Sequence, residues 1–143
     1  MSEPIDRLER YLEDEDGECR TEDLERRLEE LSALETEADA AVLEVDVPVL
    51  AALANETRYK IVRLLVAADE ELSVCEIGTV LDVSQSAISH ALAQLHEAGL
   101  IDRRKDGKWR KYTPTRRSIA LVSVLDGTRQ ERRDASNGAP LEG

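Results

Sequence analysis

The sequence predicts a mainly α-helical fold with one small β-hairpin, arranged as a winged helix-turn-helix. Two short amphipathic segments, 73–81 and 85–98, are separated by the three-residue turn Asp82-Val83-Ser84. Two short segments then flank an Asp106-Gly107 pair, which is typical of a tight hairpin turn. Basic side chains are concentrated around that turn, so the two helices would be followed by a positively charged wing.

The N-terminal third is predicted to be an acidic extension, residues 1–45. Residues 1–48 hold 18 acidic and 5 basic side chains, a net charge of −13. Residues 1–20 end in an acidic run, and we expect them to form a solvated arm because like charges repel one another. One amphipathic helix is predicted at about 22–38, with Thr21 as its N-cap. Its apolar face would consist of Leu24, Leu28, Leu31 and Leu34.

The main domain is predicted at residues 46–126. Its first helix, 47–54, would begin at Pro48, since proline is tolerated in a first helical turn. Asn55 is the expected cap of a second helix, 56–67. In the third helix, which runs to about residue 81, Ser73 and Glu76 form a capping box, in which each side chain satisfies a backbone N–H of the other residue.

The second half of the main domain begins with the helix 85–98. Its apolar residues, Ile88, Ala91, Leu92 and Leu95, recur at the spacing of one helical face, and Gly99 is the expected stop signal. Two strands are predicted at about 100–104 and 109–113, and a last helix at about 115–125. Residues 127–143 are predicted to be a disordered tail.

The charge distribution indicates a nucleic-acid partner despite the net charge of −12. Residues 99–117 hold two acidic and eight basic side chains, a local charge of +6. A short basic stripe is the electrostatic footprint of nucleic-acid contact, and it can act within an acidic protein. Abundant acids, scarce lysine and the absence of phenylalanine also resemble the halophilic composition of proteins from salt-saturated cytoplasm.

A DNA-reading surface is predicted on the helix 85–98 and on the hairpin. The helix would offer the face opposite its apolar stripe to the major groove of double-stranded DNA, with its N-terminal end nearest the base edges. The expected contacts of the helix and of the turn residue before it are Ser84, Gln85, Ser86, Ser89 and His90. The hairpin would contact phosphates or the minor groove through Arg103, Arg104, Lys105, Lys108, Arg110 and Lys111.

Several linked motifs resemble the ArsR (ArsR/SmtB) family of metalloregulatory repressors. They are the segments 53–58, 71–77 and 84–92, followed by Gly107-Lys108-Trp109 and Tyr112, and the resemblance covers about residues 47–125. It implies a homodimeric winged helix-turn-helix repressor that leaves its operator when a metal or metalloid binds. It also implies a dimer face built from the helices 47–54 and 115–125. Two-fold symmetry would then require an inverted-repeat operator with half-sites about 10 base pairs apart.

The thiol content departs from the arsenic-responsive branch of that family. The branch carries two cysteines with one residue between them, often with a third just after, and here these positions hold Ser73, Cys75 and Gly78. Soft thiolates select arsenite, antimonite or another thiophilic metal ion, and one thiol gives little selectivity. A site that combines Cys75 with Cys19, from the N-terminal arm of a partner subunit, is one hypothesis. A thiol-redox switch using the same two residues is another.

The remaining function classes are weighed by their motifs. The sequence has no phosphate-binding glycine loop, no nucleophile elbow and no His-Glu-x-x-His motif, so we expect no enzyme. It has no apolar run of about 20 residues and no secretory signal, so we expect a cytoplasmic protein without a membrane partner. Three alternatives to a ligand-relieved repressor stay open. They are a regulator without a ligand, a regulator controlled by thiol redox chemistry, and a protein-interaction module whose acidic arm masks the wing.

Overall fold

The computed structural model describes residues 3–17 and 20–137. The chain divides into two compact units, Met1–Val45 and Asp46–Gly143. The helices are α1 Glu3–Asp16, α2 Thr21–Glu37, α3 Ala40–Leu53, α4 Glu56–Ala67, α5 Val74–Val80, α6 Gln85–Glu97 and α7 Arg116–Asn137. The strands are β1 Leu72–Ser73, β2 Ile101–Asp106 and β3 Trp109–Pro114. Among the described residues, no helix is both long enough and apolar enough to cross a bilayer.

The first unit contains more helix than the sequence indicated. Residues 3–16 form α1, where the sequence suggested a solvated arm, and α1 contacts α2. The reason is the spacing of Ile5, Leu8 and Leu12, which places apolar side chains on one helical face, while Glu3, Asp6 and Glu13 are exposed. Gly17, at a φ of +78°, ends the helix, and its N–H donates to the carbonyl of Glu13 at 2.7 Å.

Helix α3 begins earlier than the sequence indicated. It starts at Ala40 rather than Val47, and Pro48 lies inside it rather than in its first turn. Proline has no N–H to donate to the carbonyl of the residue four positions earlier, so the interior position costs one helical hydrogen bond. Burial of Val49 and Ala52 in the core holds the C-terminal half of the helix in place.

The core of the second unit joins all its helices to the sheet. Its fully buried members are Ile61, Val62, Leu65, Ile77, Ile88, Leu92, Leu95, Leu100 and Ile101, and Tyr112 and Val122 are also buried in it. These residues are aliphatic apart from one tyrosine, in a chain that has no phenylalanine. The apolar stripe of α6 lies entirely within this core, which leaves the opposite face of the helix exposed.

The sheet has three antiparallel strands in the order β1-β3-β2. The short β1 was not predicted, because two residues carry no periodic signal. Leu72 pairs with Tyr112 and Ser73 with Lys111, so the strand that precedes α5 is joined by hydrogen bonds to the wing. The hairpin itself turns at Gly107, which has a φ of +64°, in the left-handed region that glycine adopts without strain.

Helix α7 continues beyond the predicted end at residue 125. It runs to Asn137 and passes through Gly127, so the tail predicted to be disordered is helical up to that point, while residues 138–143 lie outside the described residues. A glycine in a helix interior costs only about 1 kcal/mol relative to alanine. Beside this glycine, Asp126 pairs with Arg129 and with Arg63 of α4, at 2.9 Å each.

Candidate nucleic-acid interface

The helix pair α5–α6 is fixed by two side-chain caps. At α5, the Ser73 N–H donates to Glu76 Oε1 at 2.9 Å, and the Glu76 N–H donates to Ser73 Oγ at 3.3 Å. These reciprocal bonds form the capping box that the sequence suggested. At α6, the N–H of Ala87 donates to Ser84 Oγ at 3.1 Å. The Ser84 hydroxyl therefore orders the start of α6.

Helix α6 presents a polar surface at its N-terminal end. Ile88 and Leu92 are buried on one side of the helix. The face opposite them is exposed, and it consists of Gln85, Ser86, Ser89, His90 and Ala93. The structure thus places all the side chains predicted to read DNA from this helix on one solvent-facing surface.

The C-terminus of α6 directs the chain into the wing. Gly99 has a φ of +74°, its N–H donates to the carbonyl of His96 at 3.0 Å, and the N–H of Leu100 donates to the carbonyl of Leu95 at 3.0 Å. These two bonds form a Schellman motif, in which a left-handed residue closes the helix. The wing strands therefore leave α6 in a fixed direction.

The wing has two faces with different charge environments. Alternation along the strands places Arg103 and Lys105 of β2 on the same face as Arg110 and Tyr112 of β3. Within the described part of the chain, Arg103, Lys105, Arg110 and the turn residue Lys108 make no ion pair.

The opposite face of the wing is paired with carboxylates. Arg104 donates from Nε and Nη2 to both carboxylate oxygens of Glu71, at 2.6 Å each. Asp106 lies 3.9 Å from Arg104 and 3.6 Å from Lys111. The hydrogen bond from Arg104 lowers the pKa of the Glu71 carboxyl and raises the pKa of Arg104, so both groups stay charged near neutral pH.

A groove of about 360 Å³ joins α6, the wing and the start of α5. It brings together polar side chains of the helix and three unpaired cations of the wing. Its lining is Val74, Cys75, Gln85, Ser89, Ala93, Arg103, Lys108, Trp109, Arg110 and Tyr112. Of the predicted DNA contacts, Ser84, Ser86, His90, Arg104, Lys105 and Lys111 lie outside this lining.

Two residues of this region were missed from the sequence. Trp109 is 47% exposed beside the groove, and Lys108 Nζ lies 5.4 Å from its ring centroid. The sequence did contain a signal for Trp109, because it is the single tryptophan of the chain and it lies next to the hairpin turn. Glu71 was missed because its partner Arg104 is 33 residues away, and no local pattern links the two.

The thiol of Cys75 is free and exposed in the first turn of α5. The described residues do not form a metal centre around it, since they contain no group of three or more His, Cys, Asp or Glu side chains that could hold a metal ion. The neighbouring family positions cannot add a thiol, because Ser73 is the cap and Gly78 has no side chain. Cys19, the second thiol of the hypothetical site, lies outside the described residues.

Comparison with known proteins places this geometry in a family. A candidate arsenical resistance operon repressor ArsR of Halobacterium salinarum is 59% identical over 125 residues, which cover 87% of this chain and 97% of that protein. The chain belongs to the ArsR family. A family model described as a bacterial regulatory protein of the arsR family matches residues 55–103, from the cap of α4 into the wing. The ArsR identification confirms the predictions of a winged helix-turn-helix fold and of a DNA-binding transcription regulator rather than an enzyme.

Further relatives of this ArsR protein are similar over the DNA-binding domain. The arsenical resistance operon repressor of Escherichia coli is 48% identical over 66 residues, 46% of this chain and 56% of that protein. The structure of HlyU from Vibrio cholerae is 36% identical, with a TM-score of 0.55 over 61% of this chain and 94% of that one. A homodimeric winged helix-turn-helix domain from Mycobacterium bovis is 26% identical, with a TM-score of 0.59 over 70% and 91% of the two chains.

Proposed function

We propose that this ArsR protein is a homodimeric repressor that binds an inverted-repeat operator in double-stranded DNA. The observation that carries the proposal is the groove in which Gln85 and Ser89 of α6 adjoin Arg103, Lys108 and Arg110 of the wing. The relatives from Halobacterium salinarum and Escherichia coli carry names that describe repressors, which favours repression over activation.

The two halves of this surface would have different tasks. Gln85, Ser86, Ser89 and His90 are exposed at the N-terminal end of α6, where a recognition helix meets base edges, and glutamine can pair with adenine through two hydrogen bonds. The wing cations would contact phosphates, which fix the orientation of the protein without reading sequence. Ser84 would contribute as the cap that orders the end of the helix.

The homodimer is supported by exposed apolar side chains on two helices. Val47 and Leu50 of α3 are 54% and 58% exposed, and Val124 of α7 is 61% exposed. Ile119 and Leu125 on α7 are also exposed. Apolar side chains of this size are stabilised by burial against a second surface. The homodimeric neighbour from Mycobacterium bovis shares the fold, and we propose that a second copy covers these residues here.

Thiol-dependent control is a second candidate, favoured by the exposure of Cys75 beside the groove. Some relatives have names that concern arsenical or cadmium resistance, so arsenite, antimonite or another thiophilic ion is the ligand class to test. The described residues alone do not supply such a site. A second ligand would have to come from elsewhere, and Cys19 is the residue that the sequence offers.

The test is fluorescence anisotropy of the reduced, full-length protein on its own upstream DNA, with scrambled DNA as control and with or without arsenite. We expect a preference for the upstream DNA, which Gln85→Ala reduces and which the exposed α4 variant Lys60→Ala does not. Equal binding to scrambled DNA at every salt concentration would contradict the proposal. Release by arsenite that is lost in both Cys75→Ser and Cys19→Ser would support the thiol site, whereas no release would remove it.

The masking alternative has its own experiment. A chain lacking residues 1–45 removes most of the N-terminal negative charge and leaves the second compact unit. If the acidic extension competes with DNA for the wing, the shortened chain binds the operator more tightly, and most clearly at low salt where charges are screened least. Unchanged affinity at low salt would rule out masking.

A further inference from the structure

The Glu71–Arg104 pair lies where it can hold the wing in position. Glu71 immediately precedes β1, and β1 leads directly into α5. Arg104 lies in β2, which is separated from β1 by β3 in the sheet order β1-β3-β2. The ion pair therefore crosses the whole sheet and ties its outer strand to the chain segment that begins the helix-turn-helix.

The rest of β2 has few other attachments to the domain. Ile101 is buried, but residues 102–106 are all exposed, so beyond its first residue the strand is held mainly by its hydrogen bonds to β3. A two-stranded ribbon twists more freely than a sheet packed on a core. A side-chain contact with two parallel hydrogen bonds restricts that twist, because an Arg–carboxylate fork fixes orientation as well as distance.

We propose that Glu71 and Arg104 form a positioning pair for the wing, and that Arg103, Lys105, Lys108 and Arg110 are the cations that contact DNA phosphates. Arg104 and Lys111, which the sequence grouped with the DNA contacts, then act within the protein. This inference rests on the proposed DNA-binding function and assigns roles within that surface.

The pairing predicts an effect of opposite sign to simple electrostatics. Removing a negative charge near bound DNA should tighten binding, since less repulsion remains. Removing the charge of Glu71 instead releases the wing, so Glu71→Gln weakens binding to the operator by about two- to fivefold, the range expected from the loss of one partly exposed pair. Glu70 is the matched control, because it is exposed and makes no hydrogen bond or ion pair with the described residues.

The experiment measures operator affinity against salt for the full-length wild type, Glu71→Gln, Glu70→Gln, Arg104→Gln and Arg103→Gln. We expect Glu71→Gln to bind more weakly than wild type and Glu70→Gln to bind equally or more tightly. The binding constant K falls as salt rises, and Arg103→Gln makes the plot of log K against log salt shallower by about one, as expected for one lost phosphate contact. Arg104→Gln leaves the steepness of this plot unchanged. Equal binding by the two glutamate variants, or a lower slope for Arg104→Gln, would overturn the assignment.

A second measurement needs no DNA and detects the wing directly. Trp109 is the single tryptophan and begins β3 next to the turn, so its steady-state anisotropy reports on wing mobility. We expect Glu71→Gln and Arg104→Gln to lower this anisotropy while circular dichroism stays unchanged, and Glu70→Gln to leave it unchanged. Unchanged anisotropy in all three variants would refute the positioning role. Failure of the wild type to prefer its operator would instead refute the proposed function.

Discussion

Arg58 joins three helices of the DNA-binding domain, and its replacement by methionine is a sharp test of how they are held together. Its Nε donates to the carbonyl of Ala52 at 2.7 Å, its Nη2 to the carbonyl of Ala51 at 3.3 Å, and its Nη1 to Gln94 Oε1 of α6 at 3.0 Å. Both carbonyls lie in the last turn of α3, where cations are favoured by the helix dipole. The carbonyl of Ala51 also accepts the N–H of Ala54 at 3.2 Å. Methionine keeps the apolar stem and removes all three bonds.

The expected loss follows from the strength and exposure of these bonds. Hydrogen bonds from a charged donor contribute about 1.5–3 kcal/mol each when well shielded. Two of the three are only partly buried and the third is exposed and long, so we expect a total loss of about 2 kcal/mol in the free energy of unfolding. With a urea dependence of about 2 kcal/mol per molar, the unfolding midpoint falls by about 1 M.

The assay is urea unfolding followed by circular dichroism at 222 nm, at one fixed protein concentration because dimerisation adds to apparent stability. Urea is preferred to guanidinium chloride, which would screen the charges under test. Lys60→Met is the control, since Lys60 lies on the same helix and is exposed. A midpoint shift in Arg58→Met no larger than in Lys60→Met would refute the view that this guanidinium holds α3 and α6 against α4.

Two further predictions concern α5. The pKa of Glu76 is lowered because its carboxylate accepts the backbone N–H of Ser73, so the stabilisation is present above the ordinary value of 4.5 and is lost as pH falls through the lowered value. Glu76→Gln should therefore flatten the fall in urea midpoint between about pH 5 and pH 3, and an unchanged acid limb would contradict this. In a Cys19→Ser background, a bulky maleimide on Cys75 should weaken operator binding by about tenfold or more in anisotropy, a loss of about 1.4 kcal/mol. Cys75→Ser treated in the same way should be unaffected, and full binding by the modified protein would show that the groove is not used.

Most of the local signals in the sequence were informative, and the exception is Thr21, which is the first residue of α2 while Arg20 is the N-cap. The caps at Asn55 and Ser73 were predicted correctly, and each accepts the N–H three residues further along the chain. Ser84, placed in the turn by the sequence, caps α6 in the same way. The helix end at Gly99 was predicted equally well, because glycine directly after an apolar stripe commonly ends a helix in the left-handed conformation. These signals specify the two helices of the helix-turn-helix and their connection to the wing.

The sequence was misleading where a proline or glycine lies inside a helix that continues through it. Pro48 and Gly127 suggested helix ends, yet α3 and α7 pass through both positions. The cost is about 3 kcal/mol for an interior proline and about 1 kcal/mol for an interior glycine. Beside Pro48, Val49 is buried in the core, and beside Gly127, Asp126 pairs with Arg63 of α4. Long-range pairing was also beyond the sequence, since no local pattern joins Glu71 to Arg104.

The three family thiol positions in and next to α5 have separate structural explanations. The Ser73 hydroxyl accepts the N–H of Glu76 and is buried, so a cysteine there would exchange a cap for a weaker acceptor. A Cβ at Gly78 would lie 3.3 Å from Ile88 Cδ1, so a cysteine there would press on the buried face of α6. Cys75 alone is exposed, and it borders the groove that contains Gln85 and Ser89.

Modification of the Cys75 thiol would therefore affect DNA binding directly, because the thiol borders the proposed DNA-binding groove. A group attached to this thiol would enter the space beside α6 and the wing, so it needs no coupled change elsewhere in the domain to exclude DNA. A ligand held jointly with a distant residue would, in contrast, have to bring that residue to the groove. Modification of Cys75 alone and modification that requires Cys19 thus predict different outcomes in the same binding assay, and comparing the two single-cysteine variants separates them.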